Sequence, residues 1–150
     1  MKALYKHILV PLDGSKLAEA ALKEALPLAK STGARVTFLE AVWPIIDVMN
    51  TGTQMATIER VRKREAQQYL ESATRRPEWK SVKAQLMVKV GPAADVIIDY
   101  ARSRRADLIV MSTHGRSGLG RWAFGSIADK VLRGANCPVL LVRASLKGKG

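Results

Sequence analysis

Short apolar runs alternate along this chain with longer segments of helical periodicity. Segments 7–11 and 107–111 are almost wholly apolar, which is typical of central strands covered by helices on both faces. In segment 82–90, apolar and polar residues alternate strictly, which predicts an edge strand with one exposed face. Two further strands are predicted at 35–42 and 138–142.

The segments between these strands carry apolar residues at i, i+3, i+4 and i+7, which indicates amphipathic helices. They span about 15–30, 54–74, 91–101 and 126–133. Strict alternation of strands and helices requires right-handed crossovers. The prediction is therefore one α/β domain over residues 1–150, with a single doubly wound five-stranded parallel sheet, strand order 3-2-1-4-5 and helices on both faces. Ligands of such sheets bind beyond the carboxyl ends of the strands.

Charge is distributed unevenly. The chain has 25 Lys and Arg against 13 Asp and Glu, a net charge of +12, of which +1, +3 and +8 fall in successive thirds. This excess favours an anionic partner such as a nucleotide, a nucleic acid or an acidic lipid. The alternative is that the C-terminal cations only keep a helix end and a tail soluble; they are Arg102, Arg104, Arg105, Lys147 and Lys149.

Cysteine use and hydropathy bear on the compartment. Cys137 is the single cysteine, and no secretory leader precedes the first strand. We therefore expect a reducing, cytoplasmic location. No apolar run reaches the roughly 18 residues needed to span a bilayer, so no membrane span is expected.

The segment after the fourth predicted strand is rich in glycine and arginine. Its glycines allow close approach of the backbone to a ligand, and Gly125 and Ser126 begin a helix whose N-terminal N–H groups suit phosphate. The loop between carries Gly115, Arg116, Gly118, Gly120 and Arg121. It has neither the Walker spacing nor the dinucleotide-binding spacing. A phosphate cradle and a tight loop leading into a capped helix both remain open.

Three separated motifs resemble the ATP-binding branch of the universal stress protein family. They are the opening ILVPxDGS at 8–15, the spacing of Gly115, nine residues, then Gly125-Ser126, and the closing CPVLLVR at 137–143. The resemblance covers the whole chain. The family pattern G-x-x-G, nine residues, G-[ST] has its first glycine at the position of Ser112, where this chain departs from it.

This resemblance implies a role for each matching residue. Asp13 would hydrogen-bond the ribose hydroxyls, Pro11 and Met111 would form apolar walls for adenine, and the backbone of Ala41 would contact the adenine edge. The triphosphate cradle would comprise Gly115, Arg116, Gly118, Gly125 and Ser126, with Ile127 behind them. For Asp13 the alternative is a helix N-cap, and for Ala41 and Met111 it is core packing.

Other candidate residues point to no reaction. His114 has no second histidine or paired carboxylate nearby in sequence, His7 is interpreted as a strand-edge residue, and two histidines with one cysteine do not give metal-ligand spacing. Segment 43–53 is apolar but loop-like. It is interpreted either as a lid over the nucleotide or as packing against the second helix.

The fifth predicted strand is apolar and lies at an edge, where no charge protects it from pairing. A two-fold homodimer through Val139 and Leu141 is therefore predicted, and the family resemblance implies the same.

Three functions follow. The first is an ATP-binding regulator of the stress response, with ATP bound together with Mg²⁺ and an unidentified regulatory protein as partner. The second is a slow ATPase or autophosphorylating enzyme, although no water-orienting acid is evident beyond Asp13. The third is a basic adaptor for nucleic acid, which lacks support from any helix-turn-helix or series of stacking aromatics.

Overall fold

The computed structural model describes residues 4–43, 52–114 and 125–144. The strands are β1 (His7–Leu12), β2 (Arg35–Val42), β3 (Ala84–Val90), β4 (Leu108–Ser112) and β5 (Val139–Val142). The helices are α1 (Ala20–Thr32), α2 (Gly52–Thr74), α3 (Ala93–Ser103) and α4 (Ser126–Gly134), with a short 3₁₀ helix at Pro77–Trp79.

The five strands form one parallel sheet in the order β3-β2-β1-β4-β5, which confirms the predicted fold class. Alternate residues of each strand pack against different helices. Ile8, Val10 and Phe38 join the core beneath α1 and α2, whereas Leu9 and Leu39 join the core beneath α3 and α4. The sheet is thus covered on both faces, and its central strands are almost fully buried.

The helical period in the first segment begins earlier than the helix itself. Residues 16–19 form turns, and α1 starts at Ala20. Asp13 Oδ1 accepts the main-chain N–H of Ser15 at 2.9 Å, and Ser15 Oγ accepts the N–H of Ala18 at 3.1 Å. These side chains satisfy backbone donors in a turn conformation, which delays the helix.

The predicted edge strand β3 does lie at the edge, but its outer face is less exposed than expected. Gln85 and Lys89 are exposed, whereas Met87 between them is half-buried and packs with the second core. Met87 pairs in register with the buried Leu39, so the core reaches it. The 3₁₀ helix was not predicted; it places Trp79, 2% exposed, edge-to-face on Phe38 with ring centroids 4.8 Å apart.

At the amino-terminal end of the sheet, His7 is buried and hydrogen-bonded through both ring nitrogens, not merely a strand-edge residue. Its Nε2 lies 2.8 Å from Thr37 Oγ1, and its Nδ1 lies 3.2 Å from the carbonyl oxygen of Arg104. Gln85 Nε2 donates to the same Thr37 oxygen at 2.8 Å. A neutral ring with hydrogen on Nδ1 satisfies these three contacts, since Thr37 then donates to Nε2. Arg35 Nη2 also lies 3.3 Å from Nδ1, and with this tautomer that contact is not a hydrogen bond, because both nitrogens are donors. Burial lowers the pKa of His7, consistent with this neutral form.

Candidate functional site

A cleft of about 750 Å³ opens at the carboxyl ends of β1, β2 and β4. Its size falls within the range usual for small-molecule sites. The walls come from these strand ends, the middle of α2, the start of α3 and the N-terminus of α4. The cleft thus lies where doubly wound sheets bind ligands.

Every described residue that the sequence singled out for nucleotide binding lines this cleft. These residues are Pro11, Asp13, Ala41, Met111, Gly125, Ser126 and Ile127. They come from four separate parts of the chain, which the parallel topology brings to one end of the sheet. Gly115, Arg116 and Gly118 lie outside the described residues.

The inner part of the cleft is an apolar slot. Pro11 and Met111 lie at the ends of the neighbouring strands β1 and β4 and are buried, with Met111 5% exposed. Leu39 and Ile97 are buried deeper in the same wall, and Ala41 is half-buried near the end of β2. Slots of this kind suit a flat apolar ring.

Asp13 follows β1 directly at the rim of this slot. Its Oδ1 accepts two hydrogen bonds from Ser15, from the main-chain N–H at 2.9 Å and from the hydroxyl at 2.5 Å. Gly14 between them has φ of 81°, a left-handed conformation that glycine adopts without strain. The N-cap alternative for Asp13 is wrong, because α1 begins at Ala20 with Glu19 as its N-cap residue; Asp13 instead accepts from Ser15 in a turn at the cleft.

Gly125 joins α4 to the end of β4. Its N–H donates to the carbonyl oxygen of Thr113 at 2.8 Å, and a Cβ on Gly125 would lie 2.9 Å from that oxygen. A side chain there would force the two segments apart. The following helix begins at Ser126, and no side chain of the described residues caps it, so its first N–H groups are available to an anion.

Ser112 occupies the position of the first glycine in the family pattern. It is a buried strand residue, and its hydroxyl donates to the carbonyl oxygen of His114 at 2.8 Å. Among the described non-glycine residues only Arg105 has a positive φ, so Ser112 does not need the conformational freedom of glycine. The serine thus fits the strand end without strain.

His114 also lines the cleft. The sequence provided no reason to place it there. Its Nδ1 lies 3.0 Å from Thr113 Oγ1. Its Nε2 is buried and forms no hydrogen bond with any described residue. Buried polar atoms of this kind are rare, because leaving them without a partner costs free energy.

The wall supplied by α2 was not predicted, since its residues carry no nucleotide-binding motif. It consists of Arg62, Glu65, Ala66 and Tyr69. The sequence did contain one indication of this wall, because helical spacing places Ala66 and Tyr69 on the buried face of α2. Segment 43–53 lies largely outside the described residues, although Trp43, 58% exposed, lines the cleft.

An ion pair fixes this wall to α1. Arg76 donates to both carboxylate oxygens of Glu19, at 2.9 and 3.1 Å, and the Tyr69 hydroxyl donates to the same carboxylate at 3.1 Å. The hydrogen bonds from Arg76 are the main reason that the pKa of Glu19 is lowered. Burial, reinforced by Glu19, raises the pKa of Tyr69. The Tyr69 ring is therefore held as a neutral donor at the cleft wall.

No group of three or more His, Cys, Asp or Glu side chains among the described residues has the arrangement to hold a metal ion. Nor is any helix in this part of the chain long and apolar enough to cross a membrane.

The universal stress protein family model matches residues 4–143. The chain belongs to the universal stress protein family. It is 36% identical over 146 residues to the universal stress protein MJ0531 of Methanocaldococcus jannaschii, an alignment covering 96% of this chain and 85% of that protein. The universal stress protein YxiE of Bacillus subtilis is 30% identical over 148 residues, covering 93% of this chain and all of that one.

Solved structures of this family have the same fold. The universal stress protein UspA of Lactobacillus plantarum superposes with a TM-score of 0.81 at 27% identity, covering 93% of this chain and 98% of that one. MJ0577 of Methanocaldococcus jannaschii gives 0.84 at 26% identity, covering 96% and 99%. A universal stress protein solved in complex with cAMP gives 0.64 at 25% identity, covering 94% and 98%.

Proposed function

We propose that this universal stress protein binds ATP together with Mg²⁺ in the cleft and acts as a nucleotide-responsive regulator. The observation that carries the proposal is the convergence of its predicted nucleotide-binding residues from β1, β2, β4 and α4 on one cleft. The relative solved with cAMP supports an adenine nucleotide as the ligand class.

Each part of the nucleotide is assigned to a chemically matched part of the cleft. Adenine lies in the apolar slot between Pro11 and Met111, with the backbone of Ala41 at its edge. The carboxylate of Asp13 accepts hydrogen bonds from the ribose hydroxyls. The phosphates lie at the N-terminus of α4, near Gly125 and Ser126, with Ile127 behind them and Gly115, Arg116 and Gly118 completing the cradle.

Two further features support a ligand at this position. The buried Nε2 of His114 lines the same cleft and lacks a hydrogen-bonding partner among the described residues, a deficit that a polar ligand would relieve. Mg²⁺ commonly binds through substrate phosphates with few protein ligands. The residues at the cleft are compatible with an ion that arrives on the triphosphate.

A regulatory role is preferred to catalysis. Catalysis by a nucleophile and a base needs a base held by a hydrogen bond to a further group, and the ring contact described for His114 is to the Thr113 hydroxyl, not to a carboxylate or a second histidine. Bound ATP stabilises the conformation that holds it, by mass action. An unidentified protein partner would recognise this ATP-stabilised conformation.

The proposed homodimer is supported by the orientation of β5. The carbonyl oxygens of Pro138 and Val142 accept hydrogen bonds from β4. Because main-chain groups alternate in direction along a parallel strand, those of Val139 and Leu141 face the outer edge. No described strand pairs with that edge.

Asp13→Asn tests the nucleotide site. Asparagine retains an oxygen that accepts from Ser15 but loses the negative charge that accepts strongly from both ribose hydroxyls. By isothermal titration calorimetry, we expect ATP to bind at least about tenfold more weakly, which corresponds to about 1.4 kcal/mol. The affinity for 2′,3′-dideoxy-ATP should change little, since that ligand lacks the hydroxyls.

Asp95→Asn is the matched control, because Asp95 is exposed at the start of α3 and is not among the residues that line the cleft. If the wild type takes up no ATP at millimolar concentration, the proposal is wrong. If Asp13→Asn weakened the binding of ATP and of 2′,3′-dideoxy-ATP equally, Asp13 would not be the residue that binds the ribose hydroxyls.

A further inference from the structure

Basic residues lie at or just before the N-terminal ends of four adjacent strands, at the end of the sheet opposite the cleft. Lys83 precedes β3, Arg35 opens β2, Lys6 precedes β1 and Arg105 precedes β4. Neighbouring strands lie about 4.8 Å apart, so these residues form a row about 15 Å long. We name Lys6, Arg35, Lys83 and Arg105 the basic edge.

Main-chain hydrogen bonds hold the row in place. The N–H of Arg35 donates to the carbonyl oxygen of Lys6 at 3.0 Å, and the N–H of Val36 donates to that of Lys83 at 2.9 Å. The carbonyl of Arg104, beside Arg105, accepts from the His7 ring at the start of β1. The spacing of the cations is therefore set by the sheet.

The basic edge is not neutralised by neighbouring acids. All four side chains are exposed, and none forms an ion pair with a described residue. The Arg35 guanidinium lies 3.3 Å from Nδ1 of the neutral His7 ring, which does not cancel its charge. Asp107, just before β4, accepts the main-chain N–H groups of Lys6 and His7. Glu71 and Asp99, towards the C-termini of α2 and α3, pair with their own helix neighbours Arg75 and Arg102. Glu78, on the 3₁₀ helix at the same end, is exposed and forms no ion pair with the four cations.

More cations surround the row. Lys30, Lys80 and Arg104 are exposed where α1, the 3₁₀ helix and α3 end, because the C-termini of the helices and the starts of the strands share this end of a parallel α/β fold. Cations there complement the helix dipoles. Lys6, Arg35 and Lys83 directly precede or open strands, so helix dipoles do not account for them, whereas Arg105 also follows the C-cap of α3.

We propose that the basic edge binds the phosphate backbone of double-stranded DNA without sequence preference. A rigid row of exposed cations attracts a regular array of phosphates and releases their counterions. Contacts of this kind position a protein on a duplex but do not read bases. This is a second binding function, independent of the nucleotide cleft.

The surroundings of the row favour a duplex over other polyanions. Single strands bind by stacking bases on exposed aromatics, but the nearby Trp79 and Tyr100 are buried and Tyr5 is half-buried against the first core. Stable membrane anchoring requires an apolar contribution besides charge. Among the described residues that lead into the strands, Leu4 is the one exposed large apolar side chain, which is too little for such an anchor. A protein partner would need a cluster of apolar or aromatic anchors, and a single exposed leucine beside the row does not supply one.

Fluorescence anisotropy with a labelled DNA duplex of about 30 base pairs, in two unrelated sequences, tests the proposal. Four phosphate contacts give a slope of log K against log salt of about −3.6, which is roughly a 100-fold loss of affinity between 50 and 200 mM salt. We expect this slope, with equal affinity for both sequences. Saturating ATP with Mg²⁺ should not displace the duplex.

The decisive variant is Lys6→Gln/Arg35→Gln/Lys83→Gln/Arg105→Gln. We expect at least about a 30-fold loss of affinity at 100 mM salt and a slope close to zero. The control variant removes the same charge elsewhere, from the exposed residues Lys23, Arg60, Arg64 and Lys130, each changed to Gln. It should weaken binding less than about threefold.

Equal loss in both variants would overturn the proposal, because net charge alone would then explain binding. So would absence of wild-type binding at 50 mM salt, displacement by ATP, or binding to acidic-lipid vesicles in place of the duplex. If the quadruple variant fails to fold by circular dichroism, the single variants Lys83→Gln and Arg105→Gln decide. Each should reduce the slope by about 0.9, and an unchanged slope in both would contradict the proposal.

Discussion

The N–H of Gly125 donates to the carbonyl oxygen of Thr113 at 2.8 Å, and this contact brings the start of α4 against the end of β4. A Cβ on Gly125 would lie 2.9 Å from the same oxygen, closer than such atoms approach without displacement. The position of the α4 N-terminus at the cleft therefore depends on the absence of a side chain here.

Gly125→Ala is expected to weaken ATP binding at least about tenfold, because the N-terminus of α4 must move away from the phosphates. Adenosine, which has no phosphate, should lose less affinity. Isothermal titration calorimetry with both ligands measures the difference. Unchanged ATP affinity in a folded Gly125→Ala protein would show that the phosphates do not bind at the N-terminus of α4.

The buried His7 makes stability depend on pH. Its folded-state pKa is lowered, chiefly by burial, so between that value and the ordinary value of 6.5 the unfolded state binds more protons. The free energy of unfolding should therefore decrease as the pH falls below about 6.5, by at most about 1.4 kcal/mol per pH unit from this group. Urea denaturation between pH 5 and 8 measures it.

His7→Gln should make that dependence shallower, although the variant is less stable at neutral pH. His114→Gln removes the other histidine of the chain and serves as control. Equal pH dependence in the wild type and His7→Gln would show that protonation of His7 is not the cause.

The Glu19–Arg76 pair should contribute measurably to stability because both side chains are partly buried. A double-mutant cycle with Glu19→Gln and Arg76→Gln is expected to give a coupling energy of about 1 kcal/mol at pH 7. The exposed pair Asp99–Arg102 is the comparison, with an expected coupling below about 0.5 kcal/mol.

The same pair has a defined pH window. Because the pKa of Glu19 is lowered from 4.5, its stabilisation is fully present above that value and is lost as the pH falls through the folded-state pKa. Repeating the cycle near pH 3 should therefore give a smaller coupling energy. A coupling that is independent of pH would mean that the carboxylate charge is not involved.

Leu140→Lys tests the proposed dimer. Leu140 is 37% exposed on the edge strand β5, and a lysine there introduces repulsion across a two-fold axis and discourages strand pairing. Sedimentation velocity should show a dimeric wild type and a monomeric variant. Leu132→Lys, on the exposed side of α4, should remain dimeric; a monomeric wild type would end the proposal.

Much of the fold was predictable because its determinants are local. Strand β2 was predicted at its observed bounds, since the apolar run at 35–42 follows the helix-ending Gly33, whose φ is 72°. Alternation of strands and helices with right-handed crossovers then left few topologies, among them the observed parallel sheet with helices on both faces. Trp79 was missed because its burial depends on Phe38, a residue distant in sequence.

The sequence by itself determined the α/β architecture, because periodicity is a property of neighbouring residues. Its motifs also carried the family resemblance that made residues at the ends of β1, β2 and β4 and at the start of α4 candidates for the site. Only the tertiary structure decided which other parts of the chain those residues contact. It brought α2 to the cleft through Tyr69, Glu19 and Arg76, and it collected the dispersed charges of Lys6, Arg35, Lys83 and Arg105 at one end of the sheet. Contacts between residues far apart in the chain form only when the strands pair, and no local pattern records them.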